Sequence, residues 1–274
     1  MTLLQAILLG VIQGLTEFLP VSSSGHLILF PAVLNLTIQD ISFDVMLHLG
    51  TALAVLVYFY KDWQTMILSL MKDSRTYSTN RNHKFSTDSH LLIKIIIITI
   101  PVGLIGALLE NTVETYFRNP VIVAIQIILI SFVIFFAQEY NKKLKDRTKL
   151  LEQIPFLKAL TISLSQVIAL IPGTSRSGIS ISTGLFLKLD KTLAAKFSFL
   201  LSTPVIVGAA IYKLKDIASL DEPAVILVSG FLCSFIVGIL TIKSFLSFIS
   251  RFDLNIFIIY RIILGLVILF LFLK

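Results

Sequence analysis

The sequence has 274 residues, of which 56% are hydrophobic and 14% are charged. Soluble domains are far less apolar, and several apolar runs here reach the roughly 20 residues that a helix needs to cross a bilayer. The net charge of +7 does not indicate a nucleic-acid partner, because the basic residues cluster in loops between the apolar runs, as they do in membrane proteins.

Six apolar runs are long enough to cross a membrane, at about 42–60, 91–109, 120–138, 193–212, 223–246 and 254–273. A polar loop at 72–90 follows the first of them. In two further regions a polar loop joins a longer apolar run to a short one, at 2–19 with 27–36 and at 154–171 with 179–187. The short arms cannot span comfortably, so both regions are predicted to be re-entrant helix–loop–helix hairpins. The expected fold is all-α, integral to the membrane and a single domain.

The two halves of the chain resemble each other at an offset of 152 residues. Seven pairs of identical or similar residues have this offset: Pro20/Pro172, Ser22/Thr174, Ser23/Ser175, Leu49/Leu201, Thr51/Thr203, Tyr60/Tyr212 and Lys61/Lys213. We interpret them as an internal duplication, with repeats at about 1–138 and 154–274. Since each repeat holds three crossings, the second starts from the opposite face. This predicts an inverted-topology repeat whose hairpins meet near the midplane.

The basic residues predict an orientation. Seventeen lie in loops assigned to one face, four lie in loops and termini of the other face, and Arg176 and Arg261 lie within membrane segments. Cytoplasmic loops of membrane proteins carry the excess of Lys and Arg. We therefore expect both termini outside, with the first hairpin entering from the outer face.

The first polar loop combines a carboxylate, hydroxyls and an imidazole. Gln13 and Glu17 are four residues apart and share one helix face, and Pro20 ends that helix. A turn with five polar or flexible residues follows: Ser22, Ser23, Ser24, Gly25 and His26. A charged side chain in hydrocarbon costs roughly 2.5–3.5 kcal/mol, so charged groups at this depth indicate function.

The second polar loop has the composition of a phosphate site. Gly173 and Gly178 allow close approach of the backbone, and the hydroxyls of Thr174, Ser175 and Ser177 can donate hydrogen bonds. Arg176 can bind a phosphate through two parallel hydrogen bonds. The helix that starts near Ser177 adds free N–H groups that favour an anion.

Glu17 would repel a phosphate unless its charge were compensated. Either a divalent cation, Mg²⁺ or Ca²⁺, bridges Glu17 and the phosphate oxygens, or Glu17 is protonated or positions a base. A diphosphate substrate fits the first option, with attack at the terminal phosphoryl group. Ser23, His26 and a water activated by His26 or Glu17 remain candidate nucleophiles.

Each residue also has a structural interpretation. Glu17 could lie at a helix end, His26 could donate to a carbonyl, and Arg176 could form a buried salt bridge with Glu17. Serines commonly join helices within membranes. Asp44 and His48, four residues apart at the start of a span, are interpreted as interface residues rather than ligands.

These loops closely resemble the undecaprenyl-pyrophosphate phosphatases of bacterial cell-wall synthesis, the bacitracin-resistance type. The family's first motif matches residues 13–17 and continues through 20–26, its second motif matches 172–180, and the similarity extends into 194–201. Gln13 is an allowed variant that removes one possible metal ligand. Ser180 stands where the family usually has Thr, and Lys196 stands where many members are expected to have an acidic residue.

The resemblance implies hydrolysis of a C55 isoprenyl diphosphate to the monophosphate and inorganic phosphate, in a bacterial plasma membrane, through a pocket open to the outer face. It implies that Glu17 and His26 are catalytic, that Arg176 binds and stabilises phosphate, and that Ser23 is a nucleophile or hydrogen-bond partner. The remaining predicted contacts to the substrate are Gln13, Ser22, Ser24, Gly25, Gly173, Thr174, Ser175, Ser177, Gly178 and Ser180. The sequence leaves open whether the protein forms a homodimer.

Two other functional classes were compared with this one. A lipid-phosphate flippase or secondary transporter has the same inverted-repeat architecture with broken helices. An acid-phosphatase-type lipid phosphatase is disfavoured. That superfamily needs a second histidine after its Ser-Arg pair, and no histidine follows Ser175 and Arg176.

Overall fold

The computed structural model describes residues 1–34, 41–212 and 222–273. Its regular structure is helical, with eleven α-helices in the described ranges: α1 (Leu3–Thr16), α2 (Ser23–Val33), α3 (Ile41–Tyr58), α4 (Tyr60–Thr79), α5 (Thr87–Tyr116), α6 (Pro120–Lys142), α7 (Phe156–Ser165), α8 (Arg176–Phe186), α9 (Lys191–Tyr212), α10 (Ala224–Arg251) and α11 (Asn255–Phe272). Short 3₁₀ turns occur at Leu151–Gln153 and Ile168–Leu170. The predicted all-α class is confirmed.

Five helices in the described ranges, α5, α6, α9, α10 and α11, are long and apolar enough to cross a membrane. They correspond to five of the six predicted crossings. The sixth, at 42–60, is α3, which passes the same test only together with α4, and the two are bent by 74°. The protein is therefore a multi-pass membrane protein. The N-terminal end of the α5 span is Thr87, and α5 itself continues past the span to Tyr116.

The polar loop predicted at 72–90 is wrong at both ends, because α4 continues to Thr79 and α5 begins at Thr87. Met66 on α4 is buried, whereas Leu68 is 55% exposed and Lys72 is also exposed. One narrow face of α4 thus packs on the protein and the rest does not. The second half of α4 could not be predicted from its polar composition, because packing of one face, rather than overall hydropathy, stabilises this helix.

Two helical hairpins do not span the membrane. The first consists of α1 and α2, and the second of α7 and α8. With 14 residues, α1 measures about 21 Å at 1.5 Å per residue, less than the roughly 30 Å of a bilayer core. Residues 35 and 36 of the first short arm, and Lys213 of the repeat, lie outside the described residues. The predicted re-entrant hairpins are confirmed.

The first hairpin is held by close packing of α1 on α10. A Cβ added at Gly10 would lie 2.6 Å from the carbonyl oxygen of Gly230, and one at Gly14 would lie 2.7 Å from Cβ of Val237. Small residues allow helix backbones to approach each other in membranes. Deeper in the fold, the ring of Phe18 meets that of Phe199 edge-on, with centroids 5.2 Å apart. The hairpin tip is therefore fixed to the core.

Charged pairs lie at the ends of the bundle. Asp253, between α10 and α11, accepts from Lys142 at 2.9 Å. Its pKa lies below the ordinary value, chiefly because of the hydrogen bond from Lys142. Lys196 pairs with Asp62 at 2.6 Å and lies over the ring of Phe59. The basic residue at position 196, unexpected from the family pattern, is thus neutralised by its neighbour.

Candidate active site

The two hairpin loops meet inside the protein. Arg176, at the start of α8, donates from Nη2 to Oε1 of Glu17 at 2.7 Å. Ser177 donates from Oγ to the carbonyl of Leu19 at 2.9 Å. The predicted meeting of the loops is therefore confirmed, and it brings the carboxylate of one hairpin against the guanidinium of the other.

Both loops end in the same strained turn. Ser22 caps α2 with a φ of 77°, and Ser175 caps α8 with a φ of 72°. Each cap hydroxyl accepts from the backbone N–H three residues later, at Gly25 and at Gly178. A positive φ is costly for a residue with a side chain, so such turns persist only when the surroundings hold them. The turns direct two helix N-termini, which favour anions, into the same region.

The matching turns correct the predicted register between the halves. Ser22 is the structural counterpart of Ser175, an offset of 153, whereas the sequence pairing at 152 placed Ser22 with Thr174 and Ser23 with Ser175. The cap geometry explains the difference, because the hydroxyl that accepts the helix N–H must occupy the residue before the helix. Ser23 thereby corresponds to Arg176. The boundaries of the two repeats stay a prediction.

Glu17 is the centre of the site and is 6% exposed. Its Oε2 accepts from Oγ of Ser23 at 2.5 Å and from Nε2 of Gln13 at 3.0 Å, while Oε1 accepts from Arg176. Nε2 of His48 lies 3.6 Å from Oε2. Three hydrogen bonds thus hold the carboxyl group, and bonds of this kind to a charged partner are about twice as strong as neutral ones.

Two residues bonded to Glu17 have a buried polar atom without a hydrogen-bond partner among the described residues, namely Nη1 of Arg176 and Oε1 of Gln13. Both side-chain heteroatoms of Gln166, which lines the cavity next to this contact, are also without a partner there. An unpaired buried donor or acceptor costs about 1–3 kcal/mol, so native proteins pair nearly all of them. A concentration of such atoms in one place indicates where a polar ligand binds. Nη1 of Arg176 is the donor that an incoming phosphate would use.

A cavity of about 800 Å³ is lined by Glu17, Gln166 and Arg176. Polar side chains form its floor: Glu17, Ser23, Ser24, His48, Gln166, Ser175 and Arg176. Its walls are apolar and come mainly from α5 and α9: Ile96, Ile100, Val102, Leu104, Pro204, Val205 and Ile206. Asp44 and Arg118, whose charged groups lie 3.5 Å apart, also line it. A polar floor with apolar walls suits a ligand with a charged head and a hydrocarbon tail.

Among the predicted site residues, Glu17, Ser23, Ser24, Ser175 and Arg176 line the cavity, and Gln13 contacts Glu17 from behind. The other predicted residues hold the loops: Ser22, Gly25, Gly173, Thr174, Ser177, Gly178 and Ser180. The hydroxyl of Thr174 accepts from Gln126 and donates to the carbonyl of Ile168. That of Ser180 bonds the hydroxyl of Ser198 at 2.6 Å. These hydroxyls are already used within the protein.

Gly173 is explained by backbone packing rather than by approach to a ligand. Its φ is 95°, and a Cβ there would lie 2.5 Å from the carbonyl oxygen of Val123. Gly25 and Gly178 leave space for the capping serines, since a Cβ at either would lie 3.1 Å from the cap hydroxyl oxygen. The three glycines shape the loops that present the cavity-lining side chains.

Both ring nitrogens of His26 are hydrogen-bonded, and one of them faces α11. Nδ1 donates to the carbonyl of Ser22 at 2.7 Å, which leaves Nε2 to accept from the hydroxyl of Tyr260 at 2.6 Å. The two rings stack with centroids 5.8 Å apart. A catalytic role for His26 stays a prediction, and it requires the bond to Tyr260 to open.

His48 belongs to the cavity, although the sequence analysis interpreted it as an interface residue. Nδ1 donates to the carbonyl of Asp44 at 2.7 Å, and this bond directs Nε2 toward Glu17. The spacing of Asp44 and His48 placed both on one helix face but could not show which face met the hairpin loop. That information comes only from the packing of α3 beside α1.

The site can support a divalent cation only together with a ligand. Within the described ranges no group of three or more His, Cys, Asp and Glu side chains could hold a metal ion. Glu17 is the carboxylate, and the hydroxyl oxygen of Ser23 is a further possible ligand beside it. This donor set fits a hard cation that takes its other ligands from phosphate oxygens and water.

Comparison with known proteins identifies the family of this chain. The family model of the bacitracin resistance protein BacA matches residues 6–267. The undecaprenyl-diphosphatase of Elusimicrobium minutum is 40% identical over 268 residues, which is 98% of this chain and 97% of that protein. Those of Thermodesulfovibrio yellowstonii and Desulforudis audaxviator are each 40% identical, over 97% and 96% of this chain and 96% and 95% of the relatives. The chain therefore belongs to the BacA family.

Proposed function

We propose that this protein hydrolyses undecaprenyl diphosphate to undecaprenyl phosphate and inorganic phosphate, which returns the lipid carrier to cell-wall synthesis. The observation that carries the proposal is the amphiphilic cavity, in which Glu17, Ser23 and Arg176 form the floor and α5 and α9 form the walls. The names of the relatives support the same activity.

The diphosphate would bind at the floor and the isoprenyl chain between the walls. The unpaired Nη1 of Arg176 is available to a phosphate oxygen while Nη2 stays on Glu17. The N-termini of α2 and α8 add partial positive charge from unpaired N–H groups. Gly103 and Gly208 lie in the walls, and a Cβ at either would meet nothing within 4 Å. The room beside these glycines suits a branched hydrocarbon chain.

Ser23 is the nucleophile that the geometry favours. Its hydroxyl already donates to Glu17 at 2.5 Å, so Glu17 can accept the proton as Oγ attacks the terminal phosphorus. The bond between that phosphorus and the bridging oxygen breaks, and undecaprenyl phosphate leaves with the proton that Glu17 took from Ser23. Glu17 then takes a proton from the water that attacks the phosphoserine, the bond between phosphorus and Oγ breaks, that proton returns to Oγ of Ser23, and inorganic phosphate leaves. Arg176 stabilises charge on the transferring group.

A divalent cation, Mg²⁺ or Ca²⁺, would be held by Glu17 with the hydroxyl of Ser23 beside it. When bound, it neutralises part of the diphosphate charge and so lowers the repulsion from the carboxylate. The residues of the chain still perform the positioning and the proton transfer.

The site would open to the outer face of a bacterial plasma membrane, with both termini outside. The cavity-lining pair of Asp44 and Arg118 supports this orientation, because Arg118 belongs to the face with few basic residues. The N-terminal amine pairs with Glu222 at 2.9 Å, which puts the start of the chain beside another loop assigned to that face.

The test is phosphate release by the purified protein in detergent with undecaprenyl diphosphate. Wild type should release phosphate, whereas Glu17→Gln and Ser23→Ala should lose at least about 100-fold in kcat. Glu139→Gln is the matched control, because Glu139 pairs with Lys142 at the far end of α6. Unchanged release by both site variants would refute the assignment. Lipid movement across vesicles without release by wild type would favour a flippase.

A further inference from the structure

Arg261 is a buried charge that the proposed reaction leaves unexplained. Its side chain, on α11, is 0% exposed and is the largest of the fully buried side chains in the described ranges. No ion pair involves it in the part of the chain that the structure describes. A buried charge without an ionic partner is costly, and membrane interiors keep such groups for function.

The guanidinium of Arg261 joins both hairpin loops. Nη1 donates to the carbonyl of Pro20 at 3.1 Å, and Nη2 donates to the carbonyls of Gly173 at 3.0 Å and Thr174 at 3.3 Å. Pro20 lies three residues from both Glu17 and Ser23. The two other carbonyls immediately precede the turn that presents Arg176. One side chain therefore contacts the backbone of both loops, within three residues of Glu17, Ser23 and Arg176.

The same guanidinium is anchored to a membrane-spanning helix. Nε donates to the hydroxyl of Ser131 at 3.1 Å, and Nε and Nη2 both reach the carbonyl of Ile127. Both acceptors lie on α6. The guanidinium is thus held in place by α11, which carries it, and by α6, which accepts its hydrogen bonds. From there its two Nη atoms reach the loops.

We propose that Arg261 is a positioning residue for the phosphatase reaction. It sets the separation between the loop that holds Glu17 and Ser23 and the loop that holds Arg176. This inference rests on the proposed function. Only a guanidinium has diverging donors on one rigid plane, so neither a lysine nor an apolar residue can satisfy carbonyls on two loops and a helix together. Released carbonyls would turn toward other donors, and the reacting groups would move apart.

The experiment compares Arg261→Met, Arg261→Lys and the matched control Ser131→Ala in the phosphate-release assay, with melting temperature measured on each. Ser131→Ala removes one anchor bond and leaves the loop carbonyls bound. We expect Arg261→Met to lose about 100-fold in kcat, because displacement by about 1 Å can cost that much. Its KM should change less than about threefold, since the cavity walls are untouched. Its melting temperature should fall, because the carbonyls of Pro20, Gly173 and Thr174 lose their donors, so kcat is measured well below that temperature.

Arg261→Lys keeps the charge but should remain at least about 10-fold below wild type in kcat, and Ser131→Ala should stay within about twofold. A kcat for Arg261→Met within threefold of wild type would overturn the inference, as would wild-type activity in Arg261→Lys. If Arg261→Met does not fold, the comparison of Arg261→Lys with Ser131→Ala decides. Absence of release by wild type would defeat the proposed function instead, so the two failures are distinguishable.

Discussion

Replacing Arg176 by lysine tests whether the guanidinium has two separate tasks. In the structure Nη2 donates to Glu17 at 2.7 Å, and Nη1 is buried and has no partner within residues 1–34, 41–212 and 222–273. Lysine has one nitrogen, which would follow the carboxylate and leave the phosphoryl oxygen without its donor. Loss of one such donor in a transition state costs about 2.7–4 kcal/mol, or about 100- to 1,000-fold in kcat.

The assay is phosphate release from undecaprenyl diphosphate over a range of substrate concentrations. KM should change less than about threefold, because the hydrocarbon tail and the cavity walls are unchanged. The melting temperature should stay near wild type, since the ammonium still pairs with Glu17. Arg251→Lys, at the exposed end of α10, is the matched control and should have wild-type kinetics. A kcat for Arg176→Lys within threefold of wild type would refute the two-task interpretation.

The remaining predictions concern the walls, the cation and the second histidine. Gly208→Phe should raise KM for the long-chain substrate about 3- to 10-fold but leave KM for a short-chain diphosphate unchanged. The effect is modest because a hydrocarbon tail that moves from lipid into the protein gains only packing contacts, and these are what the larger side chain removes. Equal effects on both substrates would contradict a tail-binding wall. Chelation of divalent cations should lower the rate of phosphate release at least about 100-fold, and Mg²⁺ or Ca²⁺ should restore it. A rate unchanged by chelation would contradict a role for the cation. His26→Ala should lose about 10-fold in kcat or more, whereas Tyr260→Phe should keep at least half; equal losses would make their hydrogen bond, rather than the imidazole, the important feature.

The sequence predicted the membrane fold well because the governing signals are local. Apolar runs and polar breaks in the chain determine where helices cross and where hairpins turn back. The helix α4 was missed because its stability depends on one narrow packed face, which includes Met66. The register of the repeat was wrong by one residue in the loops, because capping of α2 and α8, rather than residue identity, determines the equivalent positions.

The site was predicted in composition but only partly in geometry. The contact between Glu17 and Arg176 could be expected, since a buried carboxylate and a buried guanidinium lay in loops predicted to meet. The direction of His26 could not, because it depends on Tyr260, which lies 234 residues away in sequence. For Arg261 the sequence indicated only that a charged residue lies within a membrane-spanning segment. Its role depends on carbonyl groups, and the sequence carries no signal for where a carbonyl points.

The most direct test of the account is an experimental structure with a non-hydrolysable isoprenyl diphosphate bound. We predict the terminal phosphorus beside Oγ of Ser23, with a phosphate oxygen on Nη1 of Arg176 and the hydrocarbon chain between α5 and α9. A head group bound away from the Glu17–Arg176 contact, or a chain lying outside these two helices, would contradict the central claim.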